Sequence, residues 1–183
     1  MERLARDAGH GDPYARLELA HATAAALVEA GRGEFGRPTG HLVRLVDEVG
    51  LDTLAELWCD AAADSLPGAL WALYLLQTWC GRQGETVAQA YRAGRRLAPV
   101  DEVIAGVIDD VDPKAVQQLA EEVLTGAYEG DFDVALERAA AFFRVVATGR
   151  EQLGEDTELA ARNLDTAQAL QRAAAGWRAG TLH

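Results

Sequence analysis

Residues Pro67–Cys80 read PGALWALYLLQTWC. Leu70, Trp71, Leu73, Tyr74, Leu75, Leu76 and Trp79 leave almost no polar side. A helix with no polar face belongs at the centre of a bundle of other helices. Ser65 and Pro67 supply its start, a capping hydroxyl followed by a proline in the first turn. The segment is shorter than the roughly 20 residues a membrane span needs. No membrane association is expected.

The rest of the chain supplies the partners of that helix. Apolar residues recur at helical spacing in the segments on either side. Asp12-Pro13 starts a helix to about Ala30, with Tyr14, Leu17, His21, Ala24 and Val28 on one face. A glycine-rich loop leads to a second helix at about His41–Val49, and a third spans about Asp52–Asp64. After the central segment, a helix at about Glu85–Leu97 buries Val87, Ala90, Tyr91 and Gly94, and Pro99 ends it. Asp101 caps a short helix whose inner residues are Val103, Ile104, Val107 and Ile108. Asp112-Pro113 starts the next, with Val116, Leu119, Ala120, Val123 and Leu124 inward. Gly130-Asp131 leads into a long helix carrying Phe132, Leu136, Ala139, Phe142, Phe143 and Val146, ended by Gly149. The last helix covers about Asp156–Trp177. Gly31-Arg32, Gly81-Arg82 and Gly149-Arg150 read as helix ends, with glycine in the left-handed position and arginine on the negative pole.

The expected fold is therefore all-α: a single-domain bundle of about nine helices, mostly antiparallel neighbours, around a central apolar helix. Residues 1–11 are a polar lead-in, expected to be flexible, and 12–183 form one helical domain. Ala and Leu dominate while Ile appears only at Ile104 and Ile108, a composition that favours helix over strand. Lys114 is the only lysine, which with the alanine excess suggests a bacterial, GC-rich genome. Cys59 and Cys80 both sit in apolar patterns and read as buried, reduced thiols. With no apolar run between Met1 and Asp12, a cytoplasmic protein is expected.

Charge excludes more than it assigns. Seventeen Lys and Arg against 29 Asp and Glu give −12, which argues against general nucleic-acid binding. The acids are concentrated: Asp101–Glu137 holds eleven acids and one base, Lys114. Just before it, Arg82–Arg96 holds four arginines and one acid, Glu85. A bundle so polarised could pair those two faces in a dimer or present them to a partner.

Four constellations invite chemical readings. Glu18-x-x-His21 is half of a di-iron carboxylate motif, but no other histidine has an acid three residues before it. The acids of Glu129-Gly130-Asp131-Phe132-Asp133 lack the calcium-loop spacing and fit a capped turn. Ala90 and Gly94, with Arg92, Arg95, Arg96, Val100 and Val103, outline a helix-turn-helix, which Pro99, Asp101 and Glu102 contradict. Trp58, Trp71, Tyr74 and Trp79 form core or wall an interhelical pocket. Ser65 is the only serine, and no standard catalytic signature is present. No catalytic residue, cofactor or metal ligand is assigned.

Ala160, Asn163, Ala167, Leu170, Ala174 and Trp177 repeat at 3, 4, 3, 4 and 3, a short heptad seam. It packs on its own domain or makes residues 156–178 a dimerisation helix. The expected function is a non-catalytic protein–protein interaction or regulatory module, self-associating or holding a protein partner. The alternatives are a small-molecule-binding protein or enzyme with an aromatic-lined pocket and, more weakly, a helix-turn-helix-like DNA binder.

Overall fold

The computed structural model describes residues 13–32 and 50–183. Among these residues eight helices follow one another: α1 Pro13–Arg32, α2 Leu51–Trp58, α3 Leu66–Arg82, α4 Gly84–Arg95, α5 Pro99–Ala105, α6 Pro113–Tyr128, α7 Phe132–Gln152 and α8 Thr157–Ala179. No strand occurs among the described residues. The helix expected at His41–Val49 lies outside them.

Three starts follow the capping logic of the sequence. Ser65 Oγ accepts from Gly68 N–H at 3.3 Å, Asp112 from Ala115 N–H at 2.7 Å and Asp156 from Glu158 N–H at 2.9 Å. The ends follow it less well. α1 runs through Gly31, α3 through Gly81 and α7 through Gly149, so none of these three glycines stops its helix. The left-handed stop of α8 is Gly180, at φ 70°. Expected to reach Asp64, α2 ends at Trp58, and a tight corner links it to α3. There Ser65 Oγ donates to Ala62 O at 2.7 Å, and a methyl group on Gly68 would lie 2.0 Å from that same oxygen.

The apolar segment α3 touches α1, α2, α4, α6, α7 and α8, as a central helix should. Its Leu66, Leu70, Leu73, Leu76 and Cys80 are buried, although Leu75 reaches solvent. The more completely buried helix is α7, where Phe132, Leu136, Ala139–Phe143, Val145–Ala147, Gly149 and Arg150 are all covered. Its charges disguise it. Arg138 and Arg144 reach to the rim, and Arg150 lies with its guanidinium 5.3 Å from the Trp79 ring centre. Trp79 stacks on Phe143 at 6.2 Å, so the aromatic is held between a ring and a cation.

Glycine brings α4 and α7 together. A Cβ at Gly94 would stand 1.9 Å from Val145 O, and one at Gly149 would stand 1.8 Å from Ala90 O. The two backbones meet there with no side chain between them. Tyr91 and Phe142 pack beside the crossing with ring centres 5.0 Å apart.

The C-terminal seam is used within the chain. Ala160, Ala167, Leu170, Ala173 and Ala174 are buried, with α7 as their principal neighbour, and Trp177 meets Phe132 edge-on at 4.9 Å. The surface considered for dimerisation is thus occupied by α7. Arg178 fastens the same edge through Asp133 at 2.8 Å and through Glu137.

Candidate functional site

α5 sits inside out. Its start is built from Ala98 at the cap and Pro99 in the first turn, so Pro99 begins α5 rather than merely ending α4. Asp101, read as a cap, lies in the first turn with Glu102, where two carboxylates suit the positive end of the helix. Both turn toward the bundle. Asp101 Oδ1 meets Arg144 Nε at 2.6 Å, and Glu102 Oε1 lies 2.8 Å from Arg95 Nε.

The end of α5 is held from the same side. Gly106 has φ 126°, a conformation that L side chains rarely adopt. The carbonyls that the helix end leaves open find donors on α4 and α7. Arg138 Nε donates to Ala105 O at 3.0 Å, Tyr91 Oη to Gly106 O at 3.4 Å and Arg95 Nη1 to Ile108 O at 2.7 Å. Burial and the nearby Glu102 carboxylate push the Tyr91 phenol up to about 12, so it stays a donor. Three arginines and a tyrosine thus clamp the polar side of a seven-residue helix.

The apolar side faces water. Val100 is 70 % exposed, Val103 68 % and Val107 63 %, and Ile104 and Leu97 are also exposed. Val103, Ile104 and Val107, expected inside, are outside; Ala105 is the buried residue of α5, and Ile108 is half-buried against the core. Val100, Val103 and Ile104 stand at i, i+3 and i+4 on one face of α5, with Leu97 just before the helix and Val107 just beyond Gly106. Val134 is exposed too, one helical turn before Arg138 on α7. Scattered apolar residues are normal on a surface, whereas a contiguous stripe marks a contact site.

The other candidates are dispersed. Glu18 is exposed on α1 while His21 is half-buried. His21 lines a cavity of about 260 Å3 with Val28, Glu29, Leu66, Trp177 and His183. No group of three metal-binding side chains occurs among the described residues. Asp131 stands at the cap position of α7 without a side-chain cap bond, and Asp133 is paired with Arg178.

Gly94 lies inside α4, not in a turn. Arg92 is tied to Ala88 O and Glu85, and Arg95 to Ile108 O and Glu102; Arg96 alone of the three has no ion pair among the described residues. Trp58 is fully buried, with Nε1 donating to Thr23 Oγ1 at 3.1 Å. Trp71 and Tyr74 stack at 5.6 Å. None of Trp58, Trp71 and Tyr74 lines the cavity. Cys59, expected to be buried, is exposed; Cys80 is buried, and burial pushes its thiol up to about 12.

No protein-family model matches the chain, and no curated protein or solved structure is significantly similar to it. The α5 face was missed because its apolar spacing is that of an ordinary buried helix. The signal that points outward is on other helices, in arginines placed to receive Asp101 and Glu102.

Proposed function

We propose that this chain is a non-catalytic helical interaction module that engages a protein through the outward face of α5. One observation carries the reading: the helix spends its polar side on the bundle and its apolar side on water. The described residues leave that face uncovered, while a contact that covers it gains the hydrophobic energy of its aliphatic side chains. The clamp from α4 and α7 supports the reading as well, because a preorganised face loses little entropy on binding. The free thiols Cys59 and Cys80 fit a reducing, cytoplasmic setting.

Site-specific photo-cross-linking in cells tests this. A photoreactive side chain replaces Val103, and a control replaces exposed Gln168 on α8. Discrete protein adducts are expected from position 103 and not from 168. The same adduct pattern at both positions would refute the reading.

A further inference from the structure

We infer that α5 is an ionic latch: it docks and undocks as one unit between Ala98 and Gly106, and the ion pairs on its inner side set how often its outer face is presented. This rests on the reading of α5 as a contact face and names what regulates it. The carrying observation is how little of α5 the core holds. Ala105 is the one buried residue of its seven, and Pro99, Val100, Val103 and Ile104 are exposed. α4, by contrast, buries Val87, Ala90 and Tyr91, and α6 buries Val116, Leu119 and Val123. An element with few buried apolar contacts opens at a lower free energy than the fold as a whole.

Both ends of α5 leave the helical conformation. Ala98 has φ −126° and ψ 59°, and Gly106 has φ 126° and ψ 125°. Element-terminal residues of this kind absorb the backbone change of a hinge. Buried Gly94 and Val111 bound the segment that can move. Charge and hydrogen bonding hold it. Asp101 pairs with Arg144 and Glu102 with Arg95, while Arg138, Tyr91 and Arg95 donate to the carbonyls of Ala105, Gly106 and Ile108. The paired side chains are between 15 and 25 % exposed, so salt reaches them.

Undocking returns two carboxylates and two guanidinium groups to water and withdraws only Ala105 and part of Ile108 from the core. The balance therefore follows the strength of the ion pairs. Docked, α5 offers a fixed face. Undocked, it is a seven-residue segment too short to stay helical alone. A partner that recognises the docked face meets it only in that fraction of molecules. Arg95 and Arg144 are thus positioning residues for a contact on the opposite side of the helix.

Hydrogen exchange of the purified full chain, read by mass spectrometry, tests the latch. The hydrogen bonds from Glu102 N–H to Ala98 O and from Gly106 N–H to Glu102 O close α5. The amides of residues 102–106 are expected to exchange at a rate nearly independent of dilute urea, while the protection of α6 and α7 falls steeply with urea. Raising NaCl from about 0.05 to 1 M is expected to speed the 102–106 amides by about fivefold and to leave α6 and α7 unchanged. Arg144→Gln is expected to speed them by about tenfold or more, and Arg144→Lys to recover most of that loss. Arg95→Gln/Arg144→Gln should abolish the salt dependence. The salt series on the parent needs no variant and decides the point if that double variant does not fold.

If the 102–106 amides share the urea dependence of α7, or if salt leaves their rates unchanged, the latch is overturned and the contact face is untouched. Photo-cross-linking from position 103 tests the coupling. Adducts are expected to fall by about fivefold or more in the double variant. Adducts at the parent level from a helix that exchange shows to be undocked overturn the regulation and leave α5 a contact face. Salt-sensitive opening with no adducts from the parent overturns the contact face and supports the undocking alone.

Discussion

Replacing Gly94 or Gly149 by alanine puts one methyl group where two helix backbones touch. The new Cβ at Gly94 would lie 1.9 Å from Val145 O and 2.8 Å from Gly149 N. An ordinary carbon–oxygen contact is more than 3 Å, so α4 and α7 must separate by over 1 Å. A gap of 0.5–1 Å already forfeits a quarter to a half of the dispersion energy across it. Here the gap runs through Ala90, Tyr91, Phe142 and Val145, all buried. Overpacking typically costs about 1–3 kcal/mol and occasionally more; a clash between two backbones, which no rotamer change relieves, is set above that, at ~3–5 kcal/mol. Alanine returns about 1 kcal/mol through its better helix propensity. The expected net loss is about 2–4 kcal/mol, or roughly 4–16 °C in Tm for a domain of this size.

Urea and thermal unfolding followed by circular dichroism measure that loss. Gly81→Ala and Gly126→Ala are the controls: both glycines are helical and neither added Cβ meets anything within 4 Å. These variants are expected to gain about 0.4–1 kcal/mol. The double variant Gly94→Ala/Gly149→Ala should lose less than the sum of its parts, because the first methyl already opens the gap. If Gly94→Ala is as stable as Gly81→Ala, the backbone-to-backbone crossing is wrong.

Four further outcomes follow from the same packing. A thiol reagent should modify one cysteine, Cys59, in the native protein and two after unfolding, since Cys80 is buried and protonated to about 12. Stability should fall as pH rises above 10 toward 12. Burial holds the Tyr91 and Tyr128 phenols above their ordinary 10.0, so the unfolded chain loses protons that the folded chain keeps. Tyr128→Phe should be neutral or stabilising by up to about 1 kcal/mol in urea melts, because the buried hydroxyl has no hydrogen-bond partner among the described residues. Arg144→Gln leaves Asp101 unpaired on the inner side of α5. It should cost about 1–3 kcal/mol, seen first as lost hydrogen-exchange protection in residues 99–105.

The helical class was legible because it depends on local pattern. The inward faces of α6 and α7, and the buried side of α4, follow directly from apolar spacing, as Val116, Leu119, Phe142 and Tyr91 show. Ser65, Asp112 and Asp156 announce their helices because a cap is a contact between near neighbours. Gly149 misleads for the opposite reason. A glycine before an arginine looks like a helix end, but its use here is decided by Ala90, a residue 59 positions away in the chain. Trp177 looks equally ready for a dimer seam or for its own core, and only the placement of Phe132 separates the two.

The orientation of α5 could not be read locally, and the reason is energetic. Turning Val100, Val103 and Ile104 inward would gain about 1.5 kcal/mol or more for each side chain fully buried. The same rotation would carry Asp101 and Glu102 away from Arg144 and Arg95 and leave the partly buried guanidinium groups unpaired. Breaking each of these partly buried pairs costs about 1–3 kcal/mol, and Arg138 would also lose the Ala105 carbonyl. Two such pairs outweigh three aliphatic side chains that could be only partly covered on so short a helix. The arginines of α4 and α7 therefore set the helix, and the apolar stripe is what remains outside. Among the described residues nothing covers it. A second chain can cover the stripe without disturbing any of the ion pairs that hold it in place.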